Sequence, residues 1–370
     1  DLPTISSASL SNSSTPTLTG TAEVGSTVTV VVAGATYETT ATDGNWSIDT
    51  SSTADLDSTT TLALNANGSN TVSVTSTDAA GNTSAAAKQT LTLDTTDATV
   101  SASTDKADGS YTKGEEIDIT LTFDESVTLS GSAGLNITLQ DGSSATVATL
   151  NVTAAELNGV STVTKTYTVA AGDTAGDLTV SGVALGTSAT LQDDAGNDAD
   201  LSSLTATVGT SDAIVIDTTA PATPTVSAIT TPDDDATPTI TITAEAGSTV
   251  AVYANGVELG NATESSTTAG SFSYTSSALV DGNYSVYATS TDTAGNIAES
   301  AAQDIIIDTV DPDLPTISSA SLSNSAAPTL TGTAEVGSTV TVVVTGSSTG
   351  ATYTTTATDG NWSIDTSSTA

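Results

Sequence analysis

Near-verbatim internal repetition constrains this chain more than any other feature. DLPTISSASLSNS at 1–13 returns at 313–325, and PTLTGTAEVGSTVTVVV at 16–32 returns at 328–344. ATDGNWSIDTSSTA at 41–54 returns at 357–370. The copies lie about 312 to 316 residues apart, so the larger repeating unit holds several domains. A weaker copy, PTITITAEAGSTVAV, stands at 238–252. Its segment closes with TSTDTAGN and IDTVD, as the first closes with TSTDAAGN and LDTTD.

Three ends can be read between the repeats: Asp94-Thr-Thr-Asp97, Asp217-Thr-Thr-Ala-Pro221 and Asp308-Thr-Val-Asp311-Pro312. Each follows a short apolar run, Leu91 to Leu93, Ile214 to Ile216 and Ile305 to Ile307. A proline after the linker cannot donate to a ladder, which stops the strand. The expected domains are 1–96, 97–219, 220–310 and an incomplete copy of the first at 311–370. That copy lacks counterparts of the runs at 61–65, 70–76 and 89–93, so the chain is expected to continue, another chain supplying those strands being the alternative. With no initiator Met and no signal peptide, the sequence reads as an internal or processed piece.

Within each domain the hydrophobic period is two. Ile117, Ile119, Leu121 and Phe123 alternate with Asp118, Thr120 and Thr122, and Val72 and Val74 with Thr71, Ser73 and Thr75. Such runs are half-buried strands, here separated by Gly, Asn and Asp turns. About seven short strands in roughly 90 to 120 residues is the pattern of an immunoglobulin-like sandwich. The fold predicted is therefore all-β, a tandem array of immunoglobulin-like β-sandwich domains. Only Ala154 to Asn158 suggests a helical turn. Trp46, Trp362 and Phe272 stand at equivalent places and read as core plugs, since carbohydrate stacking would need them exposed in a groove.

Composition then narrows function. The formal net charge is −39, with four Lys, no Arg, no His and no Cys. Ser and Thr make up roughly a third of the chain, a level that warns of disorder unless, as here, they alternate with Val. Such acidity repels nucleic acid and anionic membranes, so neither is expected as a partner. No apolar run is long enough to span a membrane. Without His or Cys there is no ready general base or thiol nucleophile. Lys88, Lys106, Lys113 and Lys165 all sit in polar contexts, and a carboxylate pair drawn from Asp233 to Asp235 has no obvious cleft. The chain is read as no enzyme. The nine Asn-x-Ser/Thr triplets, Asn12, Asn45, Asn136 and Asn283 among them, leave glycosylation open in a chain so rich in Ser and Thr.

Excess carboxylate suits hard divalent cations, and a small β domain without disulfides needs some other staple. The loop Asp-x-Ala-Gly-Asn occurs three times, and an Asp-Thr linker follows each at strand distance. A tight turn in which Asp caps its own backbone explains one such loop. It does not explain carboxylates crowding the linkers as well, where repulsion should weaken the join unless a cation neutralises it. Calcium is therefore expected at the junctions. At the first, Asp78 and Asn82 are expected to meet Asp94 and Asp97. At the second, Asp193, Asp194, Asn197 and Asp198 are expected to meet Asp217, with Asp233, Asp234 and Asp235 arriving from the next domain. At the third, Asp292 and Asn296 are expected to meet Asp308, Asp311 and Asp313. Asp43 and Asp359 read as turn residues rather than ligands of a separate ion.

The A-x-D-G-x-W-S turn at 41–47, the T-D-x-A-G-N loops at 77–82 and 291–296, and linkers in the style of D-T-T-x-x-P resemble the tandem bacterial Ig-like domains of giant repeat adhesins and biofilm-associated surface proteins. ADGSYTKGEEIDITLTFDESV at 107–127 resembles a second subtype from the same kind of protein. The resemblance covers the whole chain. It implies export, a place at the cell surface, and a stalk holding a binding module away from the cell, with calcium at domain junctions. Partners would be neighbouring domains of the same long chain. The rival readings are a self-assembling surface layer, sheath or matrix fibre, in which other copies also pair, and a carbohydrate- or ice-binding module, for which no strand carries a sustained Thr-x-Thr face.

Overall fold

The structure, a computed structural model, describes residues 1–51, 62–206, 208, 213–229, 231–346 and 350–367. Every regular element in them is a β-strand. The run expected at 61–65 begins on residue 61, outside the described residues, and 62–65 form no strand. Residues 154–156 make a turn, not a helix: Glu156 N donates to Thr153 O, and Glu156 Oε2 accepts from Thr153 N and Oγ1. Contacts divide the chain into two units, Asp1–Ala220 with Thr293–Asn296, and Pro221–Asp292 with Ile297–Ala370.

The first unit holds two separate cores. In the first, a sheet ordered Leu10–Ser11, Ala87–Leu93, Gly68–Thr77, Thr27–Val32, Ala35–Thr40 shares its core with the pair Thr17–Thr21 and Asn45–Asp49. Alternation sets what is buried: Val28, Val30 and Val32 face inward on one strand, Val72 and Val74 on its neighbour, with Val30 opposite Val74. The expected aromatic plug is there. Trp46 is 3% exposed and its Nε1 donates to Thr4 O at 3.1 Å. Its ring lies over Gly20, where a Cβ would fall 2.6 Å from the indole. Trp362 repeats the arrangement over Gly332, and Phe272 is buried in the second unit. The turn before Trp46 is a two-residue hairpin, with Thr42 and Asn45 exchanging backbone bonds and Asp43 and Gly44 at φ 53° and 81°. Two successive positive φ values favour Asp-Gly there, so Asp43 serves as a turn residue.

The second core centres on the long strand Glu116–Ser130, which turns Ile117, Ile119, Leu121, Phe123, Val127 and Leu129 inward. It pairs with Asn158–Thr168, Thr99–Thr104 and Thr190–Asp193. The register against Asn158–Thr168 shifts between Thr122 and Val127. A bulge of this kind re-aims a side chain; here the residues released are Asp124, Glu125 and Ser126.

In the second unit, Val257–Asn261, Thr249–Ala254 and Gly282–Thr291 form a sheet on which Ile297–Glu299 and Gln303–Ile307 also pair. Its core partner is a sheet of Thr225–Val226, Thr239–Thr243, Ser271–Thr275 and Thr263–Glu264. Residues 311–367 repeat the hairpins of the first core around Val340, Ala357, Trp362 and Ile364. Val344 is 42% exposed where its counterpart Val32 is fully buried, because Val32 is paired with Val72 of Gly68–Thr77.

Candidate metal centre

Two of the Asp-x-Ala-Gly-Asn loops close on themselves in nearly the same way. Asp78 Oδ1 accepts from Ala80 N and Asn82 N, both at 2.8 Å, and its Oδ2 accepts from Asn82 Nδ2 at 2.8 Å. These bonds, the Asn82 amide first, hold the Asp78 carboxyl below its ordinary range. Asp193 repeats the pattern, its Oδ1 accepting from Gly196 N and Asn197 N and its Oδ2 from Asn197 Nδ2 at 2.7 Å. The glycine takes φ 85° in one loop and 93° in the other. What differs is burial: Asp193 is 5% exposed, whereas Asp78 stands at the surface.

The second loop is buried because it meets residues of the first core. Gly196 lies beside Asn12, and Asn197 Nδ2 donates to Asp94 O at 3.0 Å. One carboxylate oxygen from each of Asp94, Glu125 and Asp193 lies within 4.8 Å of the others. Asp124, next to Glu125, accepts from Thr99 N at 2.8 Å and Thr99 Oγ1 at 2.7 Å, at the start of the strand that follows the linker. Burial first, then repulsion from Asp193, Asp94, Asp124 and Asp194, pushes the Glu125 carboxyl above its ordinary 4.5. A raised acid pKa subtracts stability as pH rises from 4.5 through the folded value, and the loss persists above it unless a cation pairs the charge. The ion pairs among the described residues, at Glu23, Asp105 and Glu156, lie elsewhere. Three hard oxygen donors, one of them held against its own ionisation, suit calcium.

This arrangement corrects the expected partnerships. Asp193 and Asn197 meet Asp94, not Asp217, and Asp78 and Asn82 are not the loop that reaches Asp94. The reason is geometric. Gly68 pairs with Leu93 and Val74 with Ala87, so Asp94 sits beside the start of Gly68–Thr77 and Asp78 follows its end. A seven-residue strand carries the chain roughly 20 Å, and a loop and the linker after it therefore lie at opposite ends of one sandwich. The first linker receives a loop from further along the chain. Within the first unit Asn296 shows the same clasp, its Nδ2 donating to Asp217 O at 3.0 Å and its Oδ1 accepting from Thr112 Oγ1.

Among the described residues no other expected ligand is a member of this triad. Asp97 and Asp194 are exposed, and Asp198 accepts from Gln192 Nε2. Asp217 caps Thr219 N. In the second unit Asp233 is in the ladder beside Ile306 and Asp308, its Oδ1 accepting from Asp235 N, while Asp235 caps Thr237. Asp234 and Asp311 are exposed, Asp308 caps Val310 N, and Asp313 N donates to Glu335. Asp292 stands in a loop of the second unit. Among the described residues no second carboxylate triad of this kind forms. Glu125 is the member of the triad that sequence reasoning missed. Its signal was parity: in the alternation from Ile117 to Leu129 it occupies an inward position between Phe123 and Val127, where a carboxylate has no place in a core.

The model of a bacterial Ig-like domain matches residues 4–95 and again 223–309. Solved structures similar in fold include a bacterial 1.5-MDa ice-binding adhesin, 23% identical over 80% of this chain and 91% of that one, with a TM-score of 0.36. Fibronectin(III)-like modules of Clostridium thermocellum CbhA are 16% identical over 56% of this chain and 92% of that one, with a TM-score of 0.26. A BSP domain of a biofilm-associated protein is 14% identical over 98% and 90%, with a TM-score of 0.24. No curated protein matches the chain. Residues 4–95 and 223–309 are thus bacterial Ig-like domains, and the chain is an all-β tandem array built on them.

Proposed function

We propose that the chain is an extracellular spacer, the stalk of a cell-surface repeat adhesin, whose joint between the first two sandwiches is stiffened by calcium. One observation carries the reading: Asp94, from the end of the first sandwich, converges with Glu125 and Asp193 of the second without a basic residue among them. A cation shared by these three carboxylates would tie the two sandwiches at both sides of a short linker. Without it, their repulsion opposes close approach. The Asn197–Asp94 bond holds the loop in place in either state. Extracellular calcium modules work at about 10⁻⁴ to 10⁻³ M, so the joint would be stiff outside the cell and slack during export.

Ligand that binds only the folded state stabilises it by mass action, about 2 kcal/mol at twentyfold excess over the dissociation constant. In 2 mM calcium the thermal transition of the first unit is expected to rise by about 4 to 7 °C over chelator. Glu125→Gln should remove most of that rise while leaving the melt in chelator unchanged or higher, since it deletes a repelled charge. Equal calcium response in the variant would move the ion away from this cluster.

A further inference from the structure

We propose that the outward face of the sheet spanning residues 249–307 binds a neutral hexose polymer, giving this sandwich a lateral contact that the stalk role does not require. Tyr253 and Tyr287 stand directly opposite each other on Thr249–Ala254 and Gly282–Thr291. Their neighbours Val252, Ala254, Val286 and Ala288 are buried, so alternation turns both tyrosines away from the core. The rings are parallel to within 7°, with centroids 5.0 Å apart. One step along the ladder, Asn255 pairs with Ser285, its Oδ1 accepting from Ser285 N at 2.9 Å. Beyond the pair, Asp304 stands opposite Ser285 and Ile306 opposite Asn283. Thr231, Asn255, Asn283, Ser285, Asp304 and Ile306 are among the residues lining a groove of about 460 Å³, which starts at the strand positions next to the tyrosine pair and is not lined by the pair itself.

The chemistry of this face is unspent. Among the described residues the Asn283 carboxamide, Ser285 Oγ, the Asp304 carboxylate and both tyrosine hydroxyls make no hydrogen bond. A pyranose ring has an apolar C–H face and a rim of hydroxyls. An aromatic ledge beside a groove of amide, hydroxyl and carboxylate groups answers both, the ring by stacking and the rim by hydrogen bonding. Acidic polymers are disfavoured by Asp304 and by Glu258, which pairs opposite Tyr253.

The first sandwich supplies the internal control. Its equivalent strand reads TVTVVVAG where this one reads TVAVYANG, so Val31 and Ala33 replace Tyr253 and Asn255. Val31 faces Ser73 where Tyr253 faces Tyr287. The same family fold thus forms without the tyrosine pair, which is an addition to this copy rather than a condition of folding.

Electrophoresis of the whole chain through native gels containing dextran, mannan, a soluble β-glucan or the anionic polymer alginate tests the assignment. At least one neutral polymer is expected to retard the protein, and alginate is not. Tyr253→Val with Tyr287→Ser installs the side chains that the first sandwich carries at these places, so the fold should survive, checked by circular dichroism. The double variant is expected to bind about tenfold more weakly, with a smaller loss for Asp304→Ala. The assignment is overturned if no neutral polymer retards the wild-type chain, or if the double variant is retarded as strongly.

Discussion

Trp46→Ala is expected to cost the first sandwich about 3 to 5 kcal/mol, enough to unfold most of it near room temperature. The indole is 3% exposed and packs among Leu18, Val28, Tyr37, Ile48 and Val74, in a core with no other residue of its size. Truncation also leaves Thr4 O without its 3.1 Å donor. Gly20 cannot compensate, since any side chain there fits only the space that the indole vacates, against a carbonyl. A domain that buries a small core has little reserve. In urea, followed by far-ultraviolet circular dichroism, the variant should show an early transition of roughly a quarter of the amplitude, with the second core unfolding where it does in the wild type. A shift worth less than about 1 kcal/mol would mean that the core collapses around the gap.

Asp193→Ala should have the next largest effect, and of two kinds. Three donors of its own loop lose their acceptor at a buried position, a loss of about 3 kcal/mol for charge-assisted bonds. One corner of the carboxylate triad goes as well, so the calcium-dependent rise in the thermal transition should vanish. Asp78→Ala provides the contrast. It likewise breaks three bonds within its own loop, one that is exposed and joins no carboxylate cluster. Its stability loss should be smaller and its calcium response intact. If both variants keep the response, the ion does not sit at Asp193.

The contrast between these loops marks how far the sequence could be read. Alternation located the strands, because a half-buried sheet demands period two, and the buried sets Val28–Val30–Val32 and Ile117–Ile119–Leu121 follow it. Trp46 was legible as a plug from its place after an Asp-Gly turn. The loops and linkers were legible as acidic and recurrent, but which loop meets which linker was not taken from their spacing. A strand between loop and linker separates them by its own length, so the partner of Asp94 had to come from another sandwich. Glu125 was missed for a different reason. Its parity puts a carboxylate at an inward position, and the register shift after Thr122 shows that the run bulges there. The tyrosine pair at 253 and 287 is more than thirty residues apart in sequence, and strand register alone brings it together.

Small-angle scattering on residues 1–220, first in millimolar calcium and then in excess chelator, tests the central claim most directly. A joint stiffened by a shared cation predicts a sharp maximum dimension in calcium and a broader, shorter distribution in chelator, with Glu125→Gln resembling the chelated state in both. Superimposable wild-type profiles in the two solutions would contradict it, and Asp94, Glu125 and Asp193 would then be no more than an acidic join between two sandwiches.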